Sequence, residues 1–370
     1  MRIAHVADSH VGFSAYRRSD PETGMNQREV DIYQAFERLV DSVISRRPDV
    51  VLHSGDLFDS VRPSNRALSV VLEQILRLSE ADIPVVLIAG NHSTPRLKET
   101  GSVFRLFEHI DGVHAFYTPG MHRLELGDLT VTAFPHQDKA SMVEALQSWK
   151  RGRARYEVGM LHAGIQGLTR YSMGEANELN LPSSLLNLDA DYIALGHFHD
   201  REQITENAWY CGSLERLSFA EAGQDKGYML VDLERGRKEF VKLPTRPMYS
   251  LGPFQAKGKE AAVLQDELVS ALGSVPIEGS IIRLVVDEVP AALYRSLDLN
   301  ALRAMADKAV HLDLKLEIVQ GTDAVQWRST AIGSMDQEFQ SYLSQVPVEG
   351  MDKEELRRRG LEYLEKEEEE

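Results

Sequence analysis

Short apolar runs and amphipathic stretches take turns along the first 200 residues of the chain. Ile3 to Val6, Val50 to Leu52, Val85 to Ile88, Val158 to Leu161 and Tyr192 to Leu195 are compact and rich in Val and Ile, which predicts buried strands. Between them, Tyr33, Phe36, Val40 and Val43 recur at helical spacing, as do Leu68, Val71, Leu72, Ile75 and Leu76. Pro48 and Pro84 stand just before the second and third of these strands, where a helix must end and the chain return. The alternation predicts an α/β fold for residues 1–245.

Beyond residue 245 the pattern changes. Pro244, Pro247, Gly252, Pro253 and Gly258 predict a linker, followed by a helix near 260–272, a strand near 280–287 and another helix. Leu312, Leu314, Leu316 and Ile318 then alternate with Asp313, Lys315 and Glu317, the pattern of a strand buried on one face. Together these predict a small α+β domain over 246–325. Residues 326–370 read as helices separated by a Pro and Gly loop. Phe339, Tyr342 and Leu343, then Leu356, Tyr363 and Leu364, form apolar faces suited to a partner, although docking onto the helices' own domain is the commoner fate.

Composition narrows the class. A hydrophobic content of 43% over 370 residues fills a sizeable core. No run of about 18 apolar residues offers a membrane span, and Met1 leads almost directly into the first strand, so a cytoplasmic protein without a secretory signal is expected. The one cysteine, Cys211, reads as a small core residue. The net charge of -16 argues against a nucleic-acid partner. Its distribution weakens that objection, because residues 351–370 alone hold nine acids against five bases. Lys150, Arg151, Arg153 and Arg155 form a basic cluster, while Arg17, Arg18, Arg62, Arg66, Arg96 and Lys98 lie close in sequence to the polar segments that follow the strands. Each is suited either to phosphate contact or to a solvated surface.

Those polar segments carry the chemistry. Asp8 and His10, Asp56, Asn91, His162, and the pair His197 and His199 each follow one of the five apolar runs. In open α/β sheets ligands bind beyond the carboxyl ends of the strands. Asp8-x-His10 alone is weak, since a strand-end Asp more often caps a turn, whereas Gly-His-Phe-His at 196–199 is the strongest single element. Imidazole, carboxylate and amide donors without thiolates suit manganese, iron or zinc better than calcium. Two such ions about 3.5–4 Å apart lower the pKa of a water and clamp both oxygens of a phosphoryl displacement. Asp56 is the natural bridge. His5, His53, His109, His114, His136 and His311 read as structural, with His53 and His136 as candidates for supporting the site.

Asp8-Ser9-His10, Gly55-Asp56, Gly90-Asn91-His92, His162 and Gly196-His197-Phe198-His199 resemble, in order, the signatures of the calcineurin-like metallophosphoesterases. Val61-Arg62-Pro63-Ser64, Gly212-Ser213-Leu214-Glu215-Arg216 and Lys226-Gly227-Tyr228 look like the narrower SbcD-type DNA repair nucleases of the meiotic recombination eleven family. The resemblance implies a four-layer α/β/β/α sandwich with a small α+β capping domain and C-terminal helices. It implies one Mn2+ held by Asp8, His10, Asp56 and His199, a second held by Asp56, Asn91, His162 and His197, and His92 over the scissile phosphate. Asp59, Arg62 and Ser93 would lie near the DNA; some family members have His at Asp59 and many have Asp at Ser93, so Ser93 would hold His92 less firmly. The implied activity is 3′ to 5′ double-strand exonuclease and single-strand endonuclease action in double-strand-break repair. The implied partners are DNA, an SbcC-type ABC ATPase gripped by the terminal helices, and a second copy of the chain, with Leu68, Val71, Leu72, Val103, Phe104 and Phe107 as candidate dimer contacts. Such a protein would be cytoplasmic and nucleoid-associated when bound to DNA. The alternatives are a phosphoesterase acting on small phosphoesters or cyclic nucleotides and a scaffold without activity.

Overall fold

The computed structural model describes residues 1–94, 101–166, 179–319, 343, 353 and 355–360. The strands, in chain order, are β1 (Arg2–Val6), β2 (Val50–His53), β3 (Val85–Ile88), β4 (Val113–Phe116), β5 (His122–Leu126), β6 (Leu129–Phe134), β7 (Tyr156–His162), β8 (Gly164–Ile165) and β9 (Asn180–Leu181). They continue with β10 (Tyr192–Gly196), β11 (Glu202–Gln203), β12 (Ala208–Tyr210), β13 (Gly227–Asp232), β14 (Arg237–Lys242), β15 (Met248–Gln255), β16 (Ile281–Pro290) and β17 (His311–Val319). The helices are α1 (Gln27–Arg46), α2 (Asn65–Glu80), α3 (Lys139–Ser148), α4 (Ala261–Gly273), α5 (Ala291–Ser296) and α6 (Leu299–Met305).

Two six-stranded sheets, ordered β14-β13-β1-β2-β3-β4 and β11-β12-β10-β7-β6-β5, pack face to face. Alternation along the strands decides which side chain goes where. Ile3, Val50, Leu52, Val86 and Ile88 point from the first sheet into the layer between the sheets, where they meet Leu129, Val131, Val158, Met160, Tyr192 and Ala194, with Cys211 buried among them. Ala4, Val6, Val51, Val85 and Leu87 point the other way, under Phe36, Val40 and Val43 of α1 and Val71, Ile75 and Leu78 of α2. Phe134, Leu161, Ile193 and Leu195 face Met142 and Leu146 of α3 on the far side of the second sheet. The result is a four-layer α/β/β/α sandwich. Side-chain caps start the helices: Asn26 accepts from the backbone of Arg28 and Glu29, Ser64 from Ala67, and Asp138 from Ser141.

The stretch read as a linker is in fact a strand. β15 takes up its middle, Met248–Gln255, as the edge of a separate sheet ordered β15-β16-β17. Proline is tolerated there because an edge strand leaves one row of N–H groups out of the ladder, and the register shifts between Leu251 and Phe254, around Gly252 and Pro253. Gly252 has φ +106, and a Cβ there would stand 2.5 Å from the Val285 carbonyl oxygen. All three strands run parallel, with helices in the crossovers and a core of their own built on Leu264, Leu268, Ile282, Leu284 and Leu302. This unit is tied to the sandwich by Arg246, whose guanidinium reaches both oxygens of Asp31 on α1, while Arg28 also pairs with Asp31.

Several surface expectations need correction. Val71, Phe104 and Phe107 are fully buried in the protein's own core, so they present no surface to a second copy. Leu68 and Val103 are half-buried beside them, and Leu72 is the exposed member of the six, 38% accessible, with Leu76 one turn on. The basic cluster is partly spent as well, since Arg151 pairs with Asp189 and Asp191 and Arg155 with Glu234. Arg96 and Lys98 lie outside the described residues, as do Phe339, Tyr342, Tyr363 and Leu364. Leu343 is helical and buried, and Leu356 is helical and half-buried. Among the described residues, no helix is long and apolar enough to cross a membrane.

Candidate metal centre

The parallel strands β1, β2 and β3 end side by side, and so do β7 and β10 in the facing sheet. The loops after β1 and β2 are laced together: Asp8 N donates to Gly55 O at 3.1 Å, His10 N to Asp56 O at 3.0 Å and Val11 N to Leu57 O at 2.9 Å. These backbone bonds bring Asp8, His10 and Asp56 to one rim. Following them bends the chain into the left-handed region at Asp8 (φ 52), His10 (φ 44) and Asp56 (φ 49), and His197 opposite has φ 107. Non-glycine residues rarely adopt such backbone, and where they cluster the surrounding structure is holding side chains for a purpose.

All seven residues named from the sequence meet here. Ligand atoms of Asp8, His10 and His199 lie within 4.8 Å of one another, as do those of Asp8, Asp56 and His162. His162 Nε2 is 2.8 Å from Asn91 Oδ1 and 3.0 Å from Asp56 Oδ2. His197 donates its backbone N–H to Asp8 at 3.0 Å, and its ring packs edge-on against His162. Asp8, His10, Asp56, His162 and His197 are buried; Asn91, His92 and His199 open toward solvent. Three glycines let the loops approach this closely. A Cβ would fall 2.1 Å from His162 Nδ1 at Gly55, 2.2 Å from Asp56 Oδ1 at Gly90 and 2.0 Å from the Ser54 carbonyl oxygen at Gly196.

The electrostatics suit a cation. Burial works to raise Asp56, yet His162, by charge and hydrogen bond, then His10 and His92 hold it well below the usual carboxylate range. Burial raises Asp8, with His162 and His199 opposing. Burial works to lower His162, but Asp56 outweighs it and pushes the imidazole up to about 9. His197 is lowered to about 3, first by burial and then by the neighbouring His162. Such a cluster stores protons on imidazole where a divalent ion would displace them. The donors fit that ion: His10 Nε2 and His199 Nε2 face each other at 3.1 Å while both rings turn Nδ1 to carboxylates. Two acceptor nitrogens so placed need a shared cation or proton between them.

The remaining candidates fall in different places. His92 sits beside the cluster, its backbone N–H on Asp56 Oδ1 at 3.0 Å and its Nδ1 2.9 Å from the Asp59 carbonyl oxygen. Asp59 turns its carboxylate to His10 Nδ1, 3.1 Å away, which makes it a support for a ligand. Ser93 is buried and its Oγ has no hydrogen-bond partner among the described residues, so His92 is held through Asp59 instead. Arg62 is exposed. His53 bonds Ser9 Oγ at 2.8 Å, between Asp8 and His10, and burial lowers it to about 3; His136 is lowered to about 4 by burial and by His162. Glu221, which sequence reading missed, lies 3.1 Å from His199 Nδ1 and is paired with buried Lys226. A single Glu in a loop carries no pattern; its one signal is nearness to the Lys226-Gly227-Tyr228 motif.

The calcineurin-like phosphoesterase family matches residues 1–201. The DNA double-strand break repair protein Mre11 of Methanococcus maripaludis is 31% identical over 249 residues, covering 63% of this chain and 63% of that protein. Mre11 of Methanocaldococcus jannaschii is 31% identical over 246 residues, 63% of this chain and 62% of its own length. Mre11 of Saccharolobus solfataricus is 30% identical over 211 residues, 56% and 51% of the two chains. The chain thus spans between half and just under two thirds of the length of these relatives. More than half of the chain falls within the family match, over the strands and loops that build the metal-ligand cluster, and the protein belongs to the calcineurin-like phosphoesterase family.

Proposed function

We propose that this protein is a manganese-dependent DNA nuclease, a 3′ to 5′ double-strand exonuclease and single-strand endonuclease that works with an SbcC-type ABC ATPase in double-strand-break repair. The observation that carries the reading is the convergence of five strand-end loops on one buried cluster of carboxylate, amide and imidazole donors. The relatives, named for double-strand break repair, supply the substrate. In this reading Asp8, His10, Asp56 and His199 hold one Mn2+ and Asp56, Asn91, His162 and His197 the other. When bound, the two cations activate the attacking water and offset the charge that builds on the phosphodiester.

The chain's own groups do the rest. His92 keeps Nδ1 on the Asp59 carbonyl, so any proton it exchanges with the leaving oxygen moves at Nε2. Its backbone N–H on Asp56 ties the ring's position to the shared ligand. Residues 1–245 form the nuclease, 246–325 cap the DNA, and 326–370 bind the ATPase. Two copies pair through the exposed Leu72 face of α2, with Leu68 at its edge. The protein acts in the cytoplasm, at the nucleoid when on DNA.

The test compares nucleotide release from end-labelled duplex with hydrolysis of p-nitrophenyl phosphate, with and without Mn2+. Duplex should be degraded only with Mn2+ and the small ester hardly at all. His92→Gln and His197→Ala should each lower nuclease activity by a factor of about 10²–10⁴, and only His197→Ala should lose metal. Preference for the small ester, or digestion of duplex by either variant at the wild-type rate, contradicts the reading.

A further inference from the structure

Two carboxylates outside the ligand set stand behind two of the imidazoles. Asp59 Oδ1 lies 3.1 Å from His10 Nδ1, and Glu221 Oε1 lies 3.1 Å from His199 Nδ1. A carboxylate only accepts, so each Nδ1 carries its ring's hydrogen and each Nε2 turns a lone pair forward. Those two Nε2 atoms meet at 3.1 Å. His162 is backed differently: its Nδ1 faces the neutral carbonyl of Ser54 at 2.9 Å.

Both supports are built in. Glu221 sits in a 3-10 turn, Phe219–Glu221. Phe219 anchors that turn against Met248 and Ile281, with the Arg283 guanidinium 4.0 Å above its ring. Lys226, 1% exposed, lies 2.6 Å from Glu221 Oε2 and also donates to the His199 carbonyl, Ser213 Oγ and Gln224 Oε1. That ammonium, on Oε2, keeps Glu221 ionised in the interior and offsets part of its charge, while Oε1 stays on His199, so Glu221 acts more by direction than Asp59 does. Asp59 is different. Its side chain is 32% exposed, and no lysine or arginine among the described residues pairs with it, so it adds net negative charge behind His10 as well as direction.

We propose that Asp59 and Glu221 are positioning residues that hold His10 and His199 as Nδ1–H tautomers, and that this backing makes the cation position served by those two histidines the tighter of the pair. The inference rests on the metal-site reading proposed above. Carboxylates that hydrogen-bond ligand histidines raise their donor strength, and losing one costs about 10–100-fold in affinity. His162, whose Nδ1 is on a backbone carbonyl, receives no carboxylate hydrogen bond there.

The test follows Mn2+ binding to the full chain by calorimetry and electron paramagnetic resonance, beside ¹⁵N spectra of the histidines in metal-free protein. Wild type should bind two ions of unequal affinity and show Nδ1–H at His10 and His199. Asp59→Ala should weaken the tighter class by about 10–100-fold and leave the weaker class unchanged. Glu221→Ala, combined with Lys226→Met so that no buried charge is stranded, should do the same and let the His199 tautomer drift. Glu221→Gln keeps an acceptor oxygen and should retain most of the affinity. Equal weakening of both classes, or a bare Nδ1 on His10 or His199 in wild type, overturns the proposal with the two-ion site intact. Failure of wild type to bind two ions overturns the site reading itself.

Discussion

Gly90 shows how little room the cluster leaves. A Cβ at that position would stand 2.2 Å from Asp56 Oδ1 and 2.6 Å from the Asp56 backbone nitrogen, and backbone cannot step aside as a flexible side chain can. Gly90→Ala should therefore push Asp56 off its place between the two halves of the site. Thermal unfolding should register a loss of about 1–3 kcal/mol, and Mn2+ titration a larger proportional loss of affinity; wild-type metal binding in this variant would contradict the packing. The candidate ligands are legible in sequence because each one follows an apolar run, and buried parallel strands deliver their next residues to a common rim. What supports the ligands is far less legible. Asp59, expected near the DNA, also bonds His10, and Glu221 lies 22 residues beyond His199, past two short strands, with no periodic signal to announce it.

Strands and helices follow hydrophobic spacing wherever packing is one-sided or fully buried, which is why β1, β2, β3, β7, β10, α1 and α2 are visible in advance. β15 is hidden by its prolines and glycines, since an edge strand tolerates what a central strand cannot. The same pattern cannot tell core from interface, and Val71, Phe104 and Phe107 turn inward. His5 is the polar exception among the buried residues of β1. It points into the layer between the sheets, with Nδ1 2.9 Å from Tyr192 Oη and Nε2 3.1 Å from the Leu195 carbonyl oxygen of β10. Burial lowers it to about 3, against about 6.5 in the unfolded chain. Between those two values the unfolded state binds the extra proton, so stability falls as pH drops from about 6.5 toward 3, by up to about 1.4 kcal/mol per pH unit for this group. Denaturant unfolding of metal-free His5→Gln should show a pH dependence shallower by that much. An unchanged slope would mean that His5 is not held neutral between the sheets.

Charge and shape combine over the molecule. The net charge of -16 is compatible with an anionic substrate only if cations sit where the acids converge, and the buried Asp8 and Asp56 are that place. The sandwich brings the loops together, and Arg246 on Asp31 joins the three-stranded unit to the same body from which Glu221 reaches the site and Phe219 packs on Met248 and Ile281. The α/β alternation is enough to anticipate buried strands with a polar rim, and the resemblance carried by the five motifs implies the sandwich. The joint is not visible in sequence, because Asp31 and Arg246 lie 215 residues apart and follow no period. In the function proposed above, two cations share Asp56. Electron paramagnetic resonance of the protein titrated with Mn2+ tests it most directly: the account predicts two ions per chain with an exchange-coupled signal, which Asp56→Asn converts to that of isolated ions. A single ion per chain at saturation, or two ions without coupling in the wild type, would contradict it.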